Sequence, residues 1–120
     1  LFGFELLETY RYLPLVKKTG AVVVNNLRIA PPSVLLGKSS YPQDIERKLK
    51  DRVKNVCIVD GLELAEQGGN AKAINTVLLG ALSNTLNPSY EQWLTAIKSL
   101  VPERFLDVNL KAFELGRQVR

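Results

Sequence analysis

Residues 21–26, Ala21-Val22-Val23-Val24-Asn25-Asn26 (AVVVNN), are the stretch on which the fold turns. Three successive β-branched valines restrict χ1 and favour an extended backbone. With no polar residue alternating among them, they read as a strand covered on both faces, the kind found in parallel sheets. A second run, NVCIVD at residues 55–60, has the same character. Between the two lies ERKLKDRVK, with Ile45, Leu49 and Val53 at i, i+4 and i+8. That spacing predicts an amphipathic helix over about residues 43–54, apolar on one side and charged on the other.

Working outward from this core extends the alternation. LFGF at the start reads as the tail of a strand turning at Gly3, and ELLETYRYL as a short helix stopped near Pro14. Leu6, Leu7, Tyr10 and Leu13 form its inward stripe. Pro31 and Pro32 predict an extended segment, with SVLL as a short edge or crossover strand. LELAEQG predicts a short helix closed by Gly68 and Gly69. The remainder predicts helices at about 71–86, 89–100 with Ser89 as cap, and 103–119 after Pro102. Strands alternating with helices imply an α/β fold: three layers, α/β/α, with a largely parallel sheet and a helical C-terminal part, in a single domain over 1–120. The sequence contains no methionine and opens inside an element, so the expectation is a sheet incomplete at its N-terminal side.

Composition narrows the chemistry. The 120 residues contain no histidine and one cysteine. Histidine acid/base chemistry, Ser-His-Asp triads and most zinc sites are thereby excluded from this stretch. Cys57, among residues that favour burial, reads as a core thiol of a reducing compartment. The net charge of +4 comes from residues 1–60, which hold 10 Lys/Arg against 6 Asp/Glu, while residues 61–120 hold 6 of each. No aromatic residues interleave the basic ones, so the pattern does not point to nucleic acid. No apolar run reaches the roughly 18–20 residues that span a bilayer, and no signal peptide is visible.

Candidate sites follow from strand order. Ligands of open α/β sheets gather at the carboxyl ends of strands. That puts forward Asn25 and Asn26 after the first run, and Asp60 and Gly61 after the second. Each pair also reads as a turn former, and both readings stand at this point. Asn70 is the expected cap of the helix that follows. Two further asparagines lie inside apolar stripes: Asn75 beside Ile74, Leu78, Leu82 and Leu86, and Asn109 beside Phe105, Leu106, Val108, Ala112 and Phe113. A buried carboxamide without a partner costs about 1–3 kcal/mol, so both are expected to be hydrogen-bonded and structural. The opposite side of the 71–86 helix is small (Ala73, Thr76, Gly80, Ser83), which suggests close approach of another helix, within the domain or in a homodimer.

Four segments carry a family resemblance: LFGFELLETYRYLPLVKKTGAVVVNN (1–26), APPSVLLG (30–37), GNAKAINTVLLGAL (69–82) and VPERFLDVNLKAFELG (101–116). Together they resemble the gamma subunit or domain of the 2-oxoacid:ferredoxin oxidoreductases, and the ending is most similar to the beta subunit of indolepyruvate:ferredoxin oxidoreductases. The resemblance implies the C-terminal portion of a domain that would open with a strand and a G-x-G-G-Q-G turn, a motif not present here. It implies a cytoplasmic complex that oxidatively decarboxylates a 2-oxoacid, captures the acyl group on coenzyme A as co-substrate and reduces ferredoxin. Thiamine diphosphate and iron–sulfur clusters would sit on partner subunits, and this chain would help bind coenzyme A without catalytic residues of its own. A stand-alone nucleotide or coenzyme A binding module and a dimerisation domain on the small helix face are the alternative readings.

Overall fold

The computed structural model describes residues 1–119. The chain forms an α/β fold around a three-stranded parallel sheet. Its elements are β1 (Phe2–Gly3), α1 (Leu6–Tyr12), β2 (Ala21–Asn25), α2 (Pro32–Leu35), α3 (Ile45–Arg52), β3 (Asn55–Val59), α4 (Gly61–Gln67), α5 (Ile74–Ser83), α6 (Tyr90–Leu100) and α7 (Leu106–Gln118). The strand order is β1-β2-β3. β1 and β2 run parallel, with Phe2 opposite Val23 and Gly3 opposite Val24. The backbone divides into two compact units, Leu1–Ile58 and Val59–Arg120.

The first unit is built on the valine run. Val22 and Val24 are fully buried with Leu6, Leu7, Leu13, Ile45, Leu49 and Val53. These are the stripes expected for α1, α3 and β2, because each element has one unambiguous apolar face. The SVLL segment is a correction. Pro32–Leu35 is one turn of helix, not a strand. Pro32 sits in its first turn, where a missing N–H costs nothing, and Pro31 supplies the extended residue before it. Leu35 and Leu36 are 74% and 69% exposed, which a crossover strand would not permit.

The second unit is all helix beyond its first residues. Its centre is the α5–α7 pair, where Val77, Leu78, Ala112 and Phe113 have essentially no exposure. α6 opens with a capping box in which Ser89 and Gln92 satisfy each other's backbone N–H groups. The small side of α5 proves to be a buried side, with Gly80, Ala81 and Ser83 all enclosed; the helix expected to reach residue 86 ends at Ser83, and Leu86 beyond it is 47% exposed. A Cβ at Gly80 would lie 2.1 Å from the Phe113 carbonyl oxygen, and one at Gly116 would lie 1.9 Å from that of Val77. The two glycines bring the α5 and α7 backbones together. The small face is therefore occupied by α7 of the same chain, so it is not a dimerisation surface.

Asn75 is a second correction. It is exposed, because the buried face of α5 centres on Val77, Leu78, Gly80 and Ala81 and turns Asn75 outward. Asn109 is half-buried and fully engaged. Its Nδ2 donates to the Phe105 carbonyl at 2.9 Å, and its Oδ1 accepts from the Thr76 hydroxyl at 2.5 Å. The carboxamide on the apolar face is thus a tie between α7 and α5. Asn109→Leu is expected to lower stability by about 1–3 kcal/mol, because Thr76 then loses its partner. An unchanged midpoint of urea unfolding would show the tie to be idle.

Candidate functional site

The carboxyl ends of β1 and β2 meet in the first unit. β1 ends at Gly3, whose missing Cβ leaves room for Thr9: a methyl there would lie 1.7 Å from the Thr9 hydroxyl oxygen. Thr9 is buried and donates to the Glu5 carbonyl at 2.7 Å. The backbone at Glu5 is extended, with φ −154°, and Glu5 caps α1 through Oε2, which accepts from the Glu8 N–H at 2.7 Å. Its other oxygen, Oε1, accepts from the Ile29 N–H at 3.1 Å and from the Tyr41 hydroxyl at 2.8 Å. A single buried carboxylate thus binds the start of α1, the segment after β2 and the loop before α3.

Asn25 lies at the end of β2, 6% exposed, and its Nδ2 donates to the Phe4 carbonyl at 3.3 Å. The chain turns immediately, with the Leu27 N–H on the Asn25 carbonyl at 2.8 Å and the Leu6 N–H on the Leu27 carbonyl at 2.9 Å. Asn26 is exposed beside it. In the second unit, Asp60 is an exposed carboxylate preceding α4, with its carbonyl accepting from the Leu64 N–H at 3.1 Å, and Gly61 is buried in the first turn. None of these four residues is without an interaction partner. Asn70 caps the turn before α5, its Oδ1 accepting from the Lys72 N–H at 2.9 Å.

Glu5 and Tyr41 are the strand-end residues that sequence reasoning missed. Glutamate is not a favoured capping residue, and Tyr41 is 36 positions away. The Tyr41 phenol is pushed up to about 12, first by burial and then by its hydrogen bond to Glu5. In the unfolded chain a tyrosine loses its proton near about 10. Because the folded value is the higher one, this group's contribution is fully present below about 10 and is lost as pH rises through about 12. The midpoint of urea unfolding is therefore expected to fall more steeply in the wild type than in Tyr41→Phe above about pH 10. Parallel curves for the two proteins would contradict the role given to the Tyr41–Glu5 bond.

A groove of 630 Å³ lies along α3, lined by Arg28, Arg47 and Lys50 but equally by Asp44, Glu46 and Asp51. Arg28 pairs with Glu46 at 2.8 Å and Arg47 with Asp44 at 3.5 Å. Its charges balance, so it offers a polyanion little net attraction.

The comparisons with known proteins meet this geometry here. The family described as pyruvate ferredoxin/flavodoxin oxidoreductase matches residues 1–119. The chain belongs to the pyruvate ferredoxin/flavodoxin oxidoreductase family. It is 38% identical over 97% of its length to the indolepyruvate oxidoreductase subunit IorB of Thermococcus kodakarensis. It is 36% identical to the subunit of the same name from Pyrococcus horikoshii and 31% identical to that from Archaeoglobus fulgidus, again over 97% of the chain. The chain spans about 60% of the length of each of these relatives. No solved structure matches it.

For a member of the pyruvate ferredoxin/flavodoxin oxidoreductase family the donor set is spare. Among the described residues no group of three or more His, Cys, Asp or Glu side chains could hold a metal ion. Cys57 is the sole cysteine, half-buried, and burial raises its thiol above the ordinary value, opposite to what a thiolate ligand requires. These residues do not fit an iron–sulfur cluster. No described helix is long and apolar enough to cross a membrane.

Proposed function

We propose that this chain is part of a cytoplasmic 2-oxoacid:ferredoxin oxidoreductase subunit, of the kind that acts on indolepyruvate or a related 2-oxoacid. The observation that carries this reading is the match to relatives named as indolepyruvate oxidoreductase subunits along 97% of the chain. In the overall reaction the 2-oxoacid loses its carboxylate as carbon dioxide. Two electrons pass singly to two ferredoxins, and the acyl group forms a thioester with coenzyme A, releasing one proton. Thiamine diphosphate and iron–sulfur clusters on partner subunits would supply the decarboxylation and electron-transfer chemistry. This chain contributes surface for assembly, and it does not catalyse the reaction alone.

The exposed leucines support a role in assembly. Leu35 at the end of α2 and Leu36 just after it, and separately Leu100 at the end of α6, present apolar surface to solvent. Apolar residues in such clusters mark interaction sites more often than isolated ones do. The reading is tested by affinity purification of the tagged protein from its native host under anaerobic conditions. A stoichiometric partner carrying thiamine diphosphate and iron–sulfur clusters is expected. Recovery of the chain by itself, or with a partner that lacks thiamine, would overturn the proposal.

A further inference from the structure

A groove of 580 Å³ opens in the first unit beside α1, α3 and the Leu13–Leu15 turn, lined by Leu7, Tyr10, Arg11, Leu13, Pro14 and Arg52. Its volume falls within the range of small-molecule sites, roughly 300–1,000 Å³. Leu7 and Leu13 are buried and Tyr10 is half-buried, so the floor is apolar and fixed by the core behind it. The rim is cationic. Arg11 reaches in from α1, where its ion-pair partner is Glu8. Arg52 reaches in from the last turn of α3 and has no ion-pair partner among the described residues. One turn earlier, the Lys48 ammonium lies 5.4 Å from the centre of the Tyr10 ring, so a third cation stands beside the same floor, and it too has no ion-pair partner among the described residues.

We infer that this groove binds a small amphipathic anion: an apolar body carrying a carboxylate. The body covers Tyr10, Leu13 and Pro14 and removes their apolar surface from water. The carboxylate meets Arg52, whose planar fork of donors matches two carboxylate oxygens. Arg52 is the uncommitted guanidinium here, since Glu8 already neutralises Arg11. The inference rests on the groove alone and is independent of the family's reaction.

The test uses 4-phenylbutyrate and its neutral counterpart 4-phenylbutanol, titrated into the full isotopically labelled protein and followed by amide and side-chain chemical shifts. The acid is expected to shift Tyr10, Leu13 and Arg52 saturably and to bind at least about fivefold more tightly than the alcohol. Arg52→Gln is expected to abolish that preference while leaving the remaining spectrum superimposable on the wild type. Leu13→Met, which preserves the volume of the floor, is expected to keep the preference. Equal binding of acid and alcohol, shifts centred elsewhere, or no saturable shift at all would each overturn the inference.

Discussion

Gly116→Ala is expected to unfold the second unit at temperatures where the wild type is intact. The added methyl carbon would stand 1.9 Å from the Val77 carbonyl oxygen and 2.8 Å from its carbonyl carbon. Both obstacles are backbone atoms of α5, so no side-chain rotation relieves them. α7 must move away from α5 by an ångström or more, and that movement opens the contacts of Phe113, Val77 and Leu78, which are among the fully buried residues of the unit. Overpacking ordinarily costs about 1–3 kcal/mol, and a clash between two backbones belongs at the upper end or above, about 3 kcal/mol or more. Trp93, the one tryptophan, packs on the Phe113 ring at 6.0 Å between centroids and reports this unit by its fluorescence. A variant with the wild-type unfolding midpoint by Trp93 emission would show that the helices are not held backbone to backbone.

Glu5→Ala carries the second large effect, and in the other unit. The carboxylate accepts from the Glu8 N–H, the Ile29 N–H and the Tyr41 hydroxyl. Its removal leaves those partly buried donors without their acceptor, in a place where Glu5 is only 7% exposed. Hydrogen bonds to a charged acceptor are worth about 1.5–3 kcal/mol each, and losses within one network do not add, so about 3–5 kcal/mol is expected for the whole. Glu5→Gln keeps one oxygen acceptor and should lose about half as much. The loss is expected to be local first. Amide hydrogens of residues 27–42 should exchange faster in the variant, and a protease should cut there before α1 and β2 open. Exchange rates unchanged in that segment would remove Glu5 from its role as the tie at the strand ends.

How far the sequence discloses this arrangement differs between the two units. β2, α1 and α3 are legible because hydropathy alone selects the buried face. Val22–Val24, Leu6 with Leu7, and Ile45 with Leu49 have no competing orientation. α5, which ends at Ser83, is different, because a helical wheel ranks Leu82 above Gly80, although Gly80 is buried and Leu82 only partly so. Its inward face is chosen by size, through a complementary glycine 36 positions along the chain, and no local pattern carries that information. The segment 32–35 is misread for a related reason: a proline pair admits both an extended run and a helix start, and the following valine and leucines decide nothing. At the strand ends the sequence gives the position but not the chemistry. Asn25 is where it should be, yet its amide closes a turn onto Phe4, and the residue that organises the site is Glu5, an unusual cap whose donors come from three separate segments.

The proposal at the centre of this account is that this chain assists 2-oxoacid oxidation as a supporting subunit and has no turnover of its own. Anaerobic reduction of methyl viologen, dependent on indolepyruvate and coenzyme A, tests it most directly with three samples: the purified protein, its thiamine-containing partner, and the two combined. The account predicts no reduction by the protein alone, little by the partner alone, and full activity on mixing. Viologen reduction by the protein alone, or a partner that works equally well without it, would contradict the account.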